Sequence, residues 1–99
     1  MRYLWDPAKD LLNRSKHGLS LADGIPALED PDREFWTDDR FDYGEIRVIT
    51  LGRNGPSILV VVSTETVAAK TEDEEETTRI ISVRRAKPHE KRWFYFGRA

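Results

Sequence analysis

Cysteine is absent from the 99 residues, so neither disulfides nor thiolate-bound metals can hold the fold. That absence suits a reducing cytoplasm and leaves stability to the core. Long apolar runs are absent too: the longest, Ile58 to Val62, falls far short of the roughly 20 residues that span a bilayer. No charged-then-apolar leader pattern opens the chain. A soluble, cytoplasmic protein without membrane contact is therefore expected. Histidine is scarce, with only His17 and His89 to titrate near neutral pH. What remains is enough for one small domain, residues 1–99, with a single core.

Charge is plentiful but unevenly spread. The net charge is −2, yet residues 77–99 carry seven Lys or Arg against one acid, and residues 1–18 carry four against two. The segment between them, 19–76, holds fifteen acids against five bases. Basic ends around an acidic middle give a local cationic surface of the kind that attracts phosphates, although clustered Lys and Arg also serve simply as solvated surface.

No repeat or linker divides the chain, and its hydrophobic period changes once. In "WDPAKDLLNRSKHG", Asp6 is placed to cap a helix, Pro7 fills its first position and Gly18 supplies the left-handed stop. These signals predict a helix over residues 7–17, with Ala8, Leu11, Leu12 and Ser15 facing inward. Tyr3 to Trp5 precedes it as a brief edge strand. Ser20 and Asp23 form a capping-box pattern ahead of a second short helix bearing Leu21, Ile25 and Leu28.

From residue 33 the period becomes two. "REFWT", "EIRVITLGR", "SILVVVSTETV" and "TRIISVRRA" read as four strands, and the Asn-Gly pair of "RNGP" turns the second into the third. Five consecutive acids, Glu72 to Glu76, repel one another and predict a mobile, solvated loop over 69–76. Pro88 then opens a last helix in which Trp93, Phe94 and Phe96 are expected to be core. The expected architecture is α+β: two short N-terminal helices, a four-stranded mainly antiparallel sheet and a C-terminal helix.

Two stretches carry candidate chemistry. In the first helix Lys9 and Asn13, with Lys16 or His17, fall along one polar face opposite the leucines. The Lys16-His17-Gly18 ending is also what a helix C-terminus favours, with cations at the negative end of the dipole. In the last strand, alternation sends Arg79, Ile81, Val83 and Arg85 to one face and Ile80, Ser82 and Arg84 to the other. With Arg53 at a neighbouring strand end and Lys87 just beyond, Arg84 and Arg85 make a candidate phosphate-binding cluster. A lone arginine there would instead serve as a cross-strand ion pair.

"WDPAKDLLNRSKHGLSL" and "RIISVRRAKPHEK", with the "LGR" strand end between them, occur in an order that resembles the BrnT family, toxins of bacterial type II toxin–antitoxin systems. The resemblance implies a RelE-like fold and a ribonuclease that cleaves RNA without metal or other cofactor and blocks translation. It also implies a BrnA-like ribbon-helix-helix antitoxin as partner, in a 2:2 assembly that reaches operator DNA through the antitoxin. Two stretches depart from the family pattern: the acidic connection before the last strand is extended, and the last helix carries four aromatics in a row.

Metal-free RNA cleavage needs deprotonation of the ribose 2′-OH, cations on the phosphorane and a proton for the departing 5′-oxygen. Lys9, Lys16, His17, Arg84 and Arg85 are the candidate catalytic residues on this reading. Arg53, Arg79 and Lys87 are candidates for holding phosphate, and Tyr95 or Trp93 for stacking on a base. The alternative is a family member that has lost catalysis and acts with its antitoxin only as a co-repressor, which the altered helix and acidic loop suggest.

Overall fold

Residues with a period of two build five strands in the computed structural model, which describes residues 1–40 and 42–98. They are β1 (Arg2–Leu4), β2 (Glu34–Thr37), β3 (Arg47–Asn54), β4 (Ser57–Thr64) and β5 (Thr77–Arg85), in the order β1-β5-β4-β3-β2. Strands β2 to β5 pair antiparallel, whereas β1 lies parallel to β5. The expected four-stranded sheet is therefore corrected to a five-stranded mixed one. An unpaired strand edge offers free backbone groups, and the segment around Tyr3 takes up those of β5. The "RNGP" hairpin is present: Asn54 pairs with Ser57, and Gly55 adopts φ 59° to make the two-residue turn with Pro56.

The first helix, α1 (Pro7–His17), has the expected bounds; Asp6 accepts the Ala8 amide at 2.9 Å, and Gly18 ends it at φ 70°. The second N-terminal helix is corrected to a 3₁₀ turn (Leu21–Gly24) running into a single helical turn, α2 (Ile25–Leu28). The Ser20–Asp23 capping box is formed, but Gly24 then lies flat on the sheet, where a Cβ would come within 2.8 Å of Val83. The last helix is α3 (Pro88–Phe96).

Each sheet face has its own core. On one face α1, the 3₁₀ turn and α2 enclose Leu21, Ala27, Leu59, Val61, Ile80 and Val83. Gly52 in β3 lets α2 approach, because a Cβ there would stand 2.2 Å from the Ala27 carbonyl oxygen. On the other face α3 packs Phe94 over Ile49, Leu51, Ile58 and Val60.

Three inward assignments are corrected. Leu11 and Leu12 are each 69% exposed, and Ala8 and Ser15 are exposed as well; the buried residue of α1 is Asn13. On α3, Phe94 is buried but Phe96 is 85% exposed. Simple alternation also fails in β5, because a bulge opposite Val62 and Ser63 inserts one residue into the register. Ile80 and Val83 consequently share the face under the helices, while Ser82 and Arg84 pair across from Val62 and Val60 on the other. The carboxylates of Glu72 to Glu76 are all exposed, as expected.

Candidate active-site groove

Helix α3 covers only part of its sheet face. Beside it, Ile49, Val60, Val62 and Ser82 floor a groove of about 540 Å³. Three elements bring charge to its rim. The last turn of α1 contributes Lys16 and His17, the bulged strand β5 contributes Arg84, and the start of α3 contributes Lys87 and His89. The α1 end is tied to β5 by Arg85, whose Nη1 donates to the His17 carbonyl at 3.3 Å.

The Arg84 guanidinium meets the Glu90 carboxylate end-on, Nη1 and Nη2 each donating a hydrogen bond of 2.7 Å. Glu90 is buried and also accepts the Lys87 amide at 2.8 Å, so one carboxylate caps α3 and aims an arginine of β5. Burial opposes its ionisation, but the Arg84 and Lys87 hydrogen bonds outweigh burial and hold the carboxyl below its ordinary range. His17 moves downward from 6.5: partial burial comes first, then the neighbouring charges of Lys16 and Arg84. Its imidazole is therefore neutral at neutral pH and able to accept a proton. Asp38, held at about 2 by the Arg40 guanidinium against the pull of burial, fixes Arg40 at the far rim. Among the described residues, Lys16, Lys87 and Arg98 have no carboxylate partner.

Of the expected site residues, Lys16, His17, Arg84 and Lys87 come together here. The others lie elsewhere. Arg53 is bound by Asp30 at 3.1 Å and by Asp32, and Arg79 by Glu45 at 2.6 Å. Lys9 is exposed, one turn of α1 before Asn13, and does not border the groove. Arg85 lies on the opposite side of β5 from Arg84, and Tyr95 is 64% exposed against Phe94. Sequence reasoning assigned no site role to Trp36, Arg40, His89, Glu90 or Arg98. Glu90 alone carried a local signal, three residues after the helix cap at Lys87.

A second hollow, about 450 Å³, opens on the other sheet face beside Thr50, Ser63, Thr78 and Phe35. Arg33 is its one basic side chain, and no imidazole borders it. Among the described residues no cluster of His, Asp or Glu is arranged to hold a metal ion.

A family model described as ribonuclease toxin, BrnT, of type II toxin-antitoxin system matches residues 5–90. The chain belongs to the BrnT family. The matched span includes Lys16, His17, Arg84, Lys87, His89 and Glu90, whereas Trp93 and Arg98 lie beyond it. BrnT is a family of ribonuclease toxins of type II toxin–antitoxin systems, and membership implies an antitoxin partner. A comparison with curated proteins found no match. No helix among the described residues is long and apolar enough to cross a membrane.

Proposed function

We propose that this BrnT-family chain is a cytoplasmic endoribonuclease toxin that cleaves RNA in the groove without a metal ion and thereby lowers translation. The observation that carries the reading is the convergence of Lys16, His17, Arg84 and Lys87 from three elements on one groove. Neutral His17 takes the proton of the ribose 2′-OH as its oxygen attacks phosphorus. Lys16, Lys87 and Arg84 hold the phosphorane charge. The P–O5′ bond breaks as His89 protonates the leaving oxygen, giving a 2′,3′-cyclic phosphate and a 5′-hydroxyl.

A BrnA-like ribbon-helix-helix antitoxin is the proposed partner, in a 2:2 assembly that covers the groove and reaches operator DNA through the antitoxin. The second reading, a co-repressor without catalysis, draws on the Arg84–Glu90 pair, which already occupies the guanidinium. Purified protein incubated with RNA in EDTA separates the two: cleavage that is weakened in Lys16→Gln and lost in His17→Asn supports the ribonuclease. Intact RNA beside normal complex formation with the neighbouring gene's product would leave the co-repressor.

A further inference from the structure

We propose that Trp36, Trp93 and Arg98 form a stacking subsite for one base of the RNA, an inference that rests on the groove being the RNA site. Trp36 of β2 and Trp93 of α3 meet edge to face, their centroids 5.9 Å apart and their planes at 83°. His89, one turn before Trp93, meets it in the same way at 5.0 Å. All three rings line the groove, so its cationic rim runs into an aromatic corner.

Arg98 lies over that corner. Its guanidinium carbon is 4.3 Å from the Trp36 centroid and 5.8 Å from that of Trp93. No carboxylate among the described residues holds it, and the side chain is exposed. A guanidinium plane over an indole is attracted by the ring's negative face and leaves its own second face to solvent. Bases stack both on aromatic rings and on arginine planes. A base entering the corner either extends the Trp36–Arg98 stack or displaces Arg98 and takes the indole face. In both cases its flanking phosphates lie along the rim that Lys16, Arg84 and Lys87 border. Because every base has a π-face, such a subsite fixes the position of the strand in the groove while tolerating different bases. Tyr95, the residue its exposure and sequence first suggested for stacking, stands outside the groove.

The test compares two non-cleavable 2′-O-methyl oligonucleotides of equal length and charge, one with bases and one abasic, by fluorescence anisotropy. The full chain is expected to bind the base-bearing strand roughly tenfold more tightly, the gain a single stacked base supplies. Trp36→Ala is expected to bring the two affinities together while abasic binding stays unchanged, and Trp36→Phe to keep most of the difference. Arg98→Met, which leaves the sheet untouched, keeps the test decisive if Trp36→Ala folds poorly, and is expected to shrink the ratio severalfold. Equal affinities in the unsubstituted protein, or a ratio that survives both Trp36→Ala and Arg98→Met, would overturn the subsite and leave the groove as an RNA site. Failure of both strands to bind would overturn the subsite and the groove's RNA role together.

Discussion

The Asn13 side chain pairs with both backbone groups of Val83, seventy residues away: Nδ2 donates to the carbonyl at 2.9 Å, and Oδ1 accepts the amide at 3.0 Å. Nδ2 donates to the Leu19 carbonyl as well, at 2.8 Å. Strand β1 pairs with β5 only as far as Arg79. Beyond that point the edge of β5 has no strand beside it, and an amide from α1 supplies what a strand would have given.

Removing that amide should cost more than an average polar substitution. Asn13→Ala leaves the Val83 amide and two carbonyls without partners in a buried place, which is expected to lower stability by about 2–4 kcal/mol. Asn13→Asp keeps the acceptor but turns a negative charge on two carbonyl oxygens, and should be at least as harmful. Urea unfolding midpoints give the values; a loss under about 0.5 kcal/mol would mean that the contact contributes little.

Arg84 is expected to matter twice. Arg84→Ala should lower RNA cleavage by roughly 10²–10³. It also leaves buried Glu90 without its cation, and a stability loss of about 2 kcal/mol is expected. Adding Glu90→Gln neutralises the stranded carboxylate while still accepting the Lys87 amide, so the double variant should regain most of the stability and none of the rate. Arg85→Ala, on the opposite side of the strand, should change cleavage little. Equal loss in the two single arginine variants would argue against the groove.

The pH dependence of cleavage should follow His17. Its pKa is lowered from 6.5, so the proton-accepting form is present at pH 7 and the acidic limb of the rate profile is expected below pH 6.5. Lys16→Gln removes one of the charges that depress it, and the acidic limb of the profile should move to higher pH. A limb that stays in place after Lys16→Gln, or a His17→Asn protein with full activity, would take His17 out of the proton transfer.

Acid should unfold the protein in a defined window. Asp30, beside Arg53, and Asp38, beside Arg40, are both held at about 2 rather than 3.8. A carboxyl whose pKa is lowered by folding stabilises the native state fully above its unfolded value and loses that contribution as protons bind. The contribution of these two carboxylates to the melting temperature should therefore be complete above about pH 4 and be lost between about pH 4 and 2. The variants Asp30→Asn and Asp38→Asn should each start lower at pH 7 and lose less on acidification.

The local signals in the sequence located most elements, because each rests on a few adjacent residues. Asp6, Pro7 and Gly18 bound α1, Ser20 and Asp23 make their capping box, and Gly55 turns the β3–β4 hairpin. Direction was less legible. Leu11 and Leu12 looked inward by spacing alone, yet the docking of α1 is decided by Asn13 and by a strand edge seventy residues away. For the same reason Lys16, His17, Arg84 and Lys87 could be named, whereas Trp36, Arg40 and Arg98 could not: what brings them to the groove is the sheet order and the path of the chain after α3. Arg53 and Arg79 have the chemistry of phosphate ligands, but Asp30, Asp32 and Glu45, distant in sequence, hold them.

The β5 bulge makes chain length, rather than side-chain identity, the variable that sets which way Arg84 points. Counted by strict alternation from Ile80, Arg84 falls on the helix-covered face; the extra residue at position 81 shifts the count and delivers the guanidinium to the groove instead. A deletion of one residue there would keep every arginine and every valine and still turn the site inside out. In comparing relatives of this chain, a gap of one in that strand is a larger change than the loss of any single lysine.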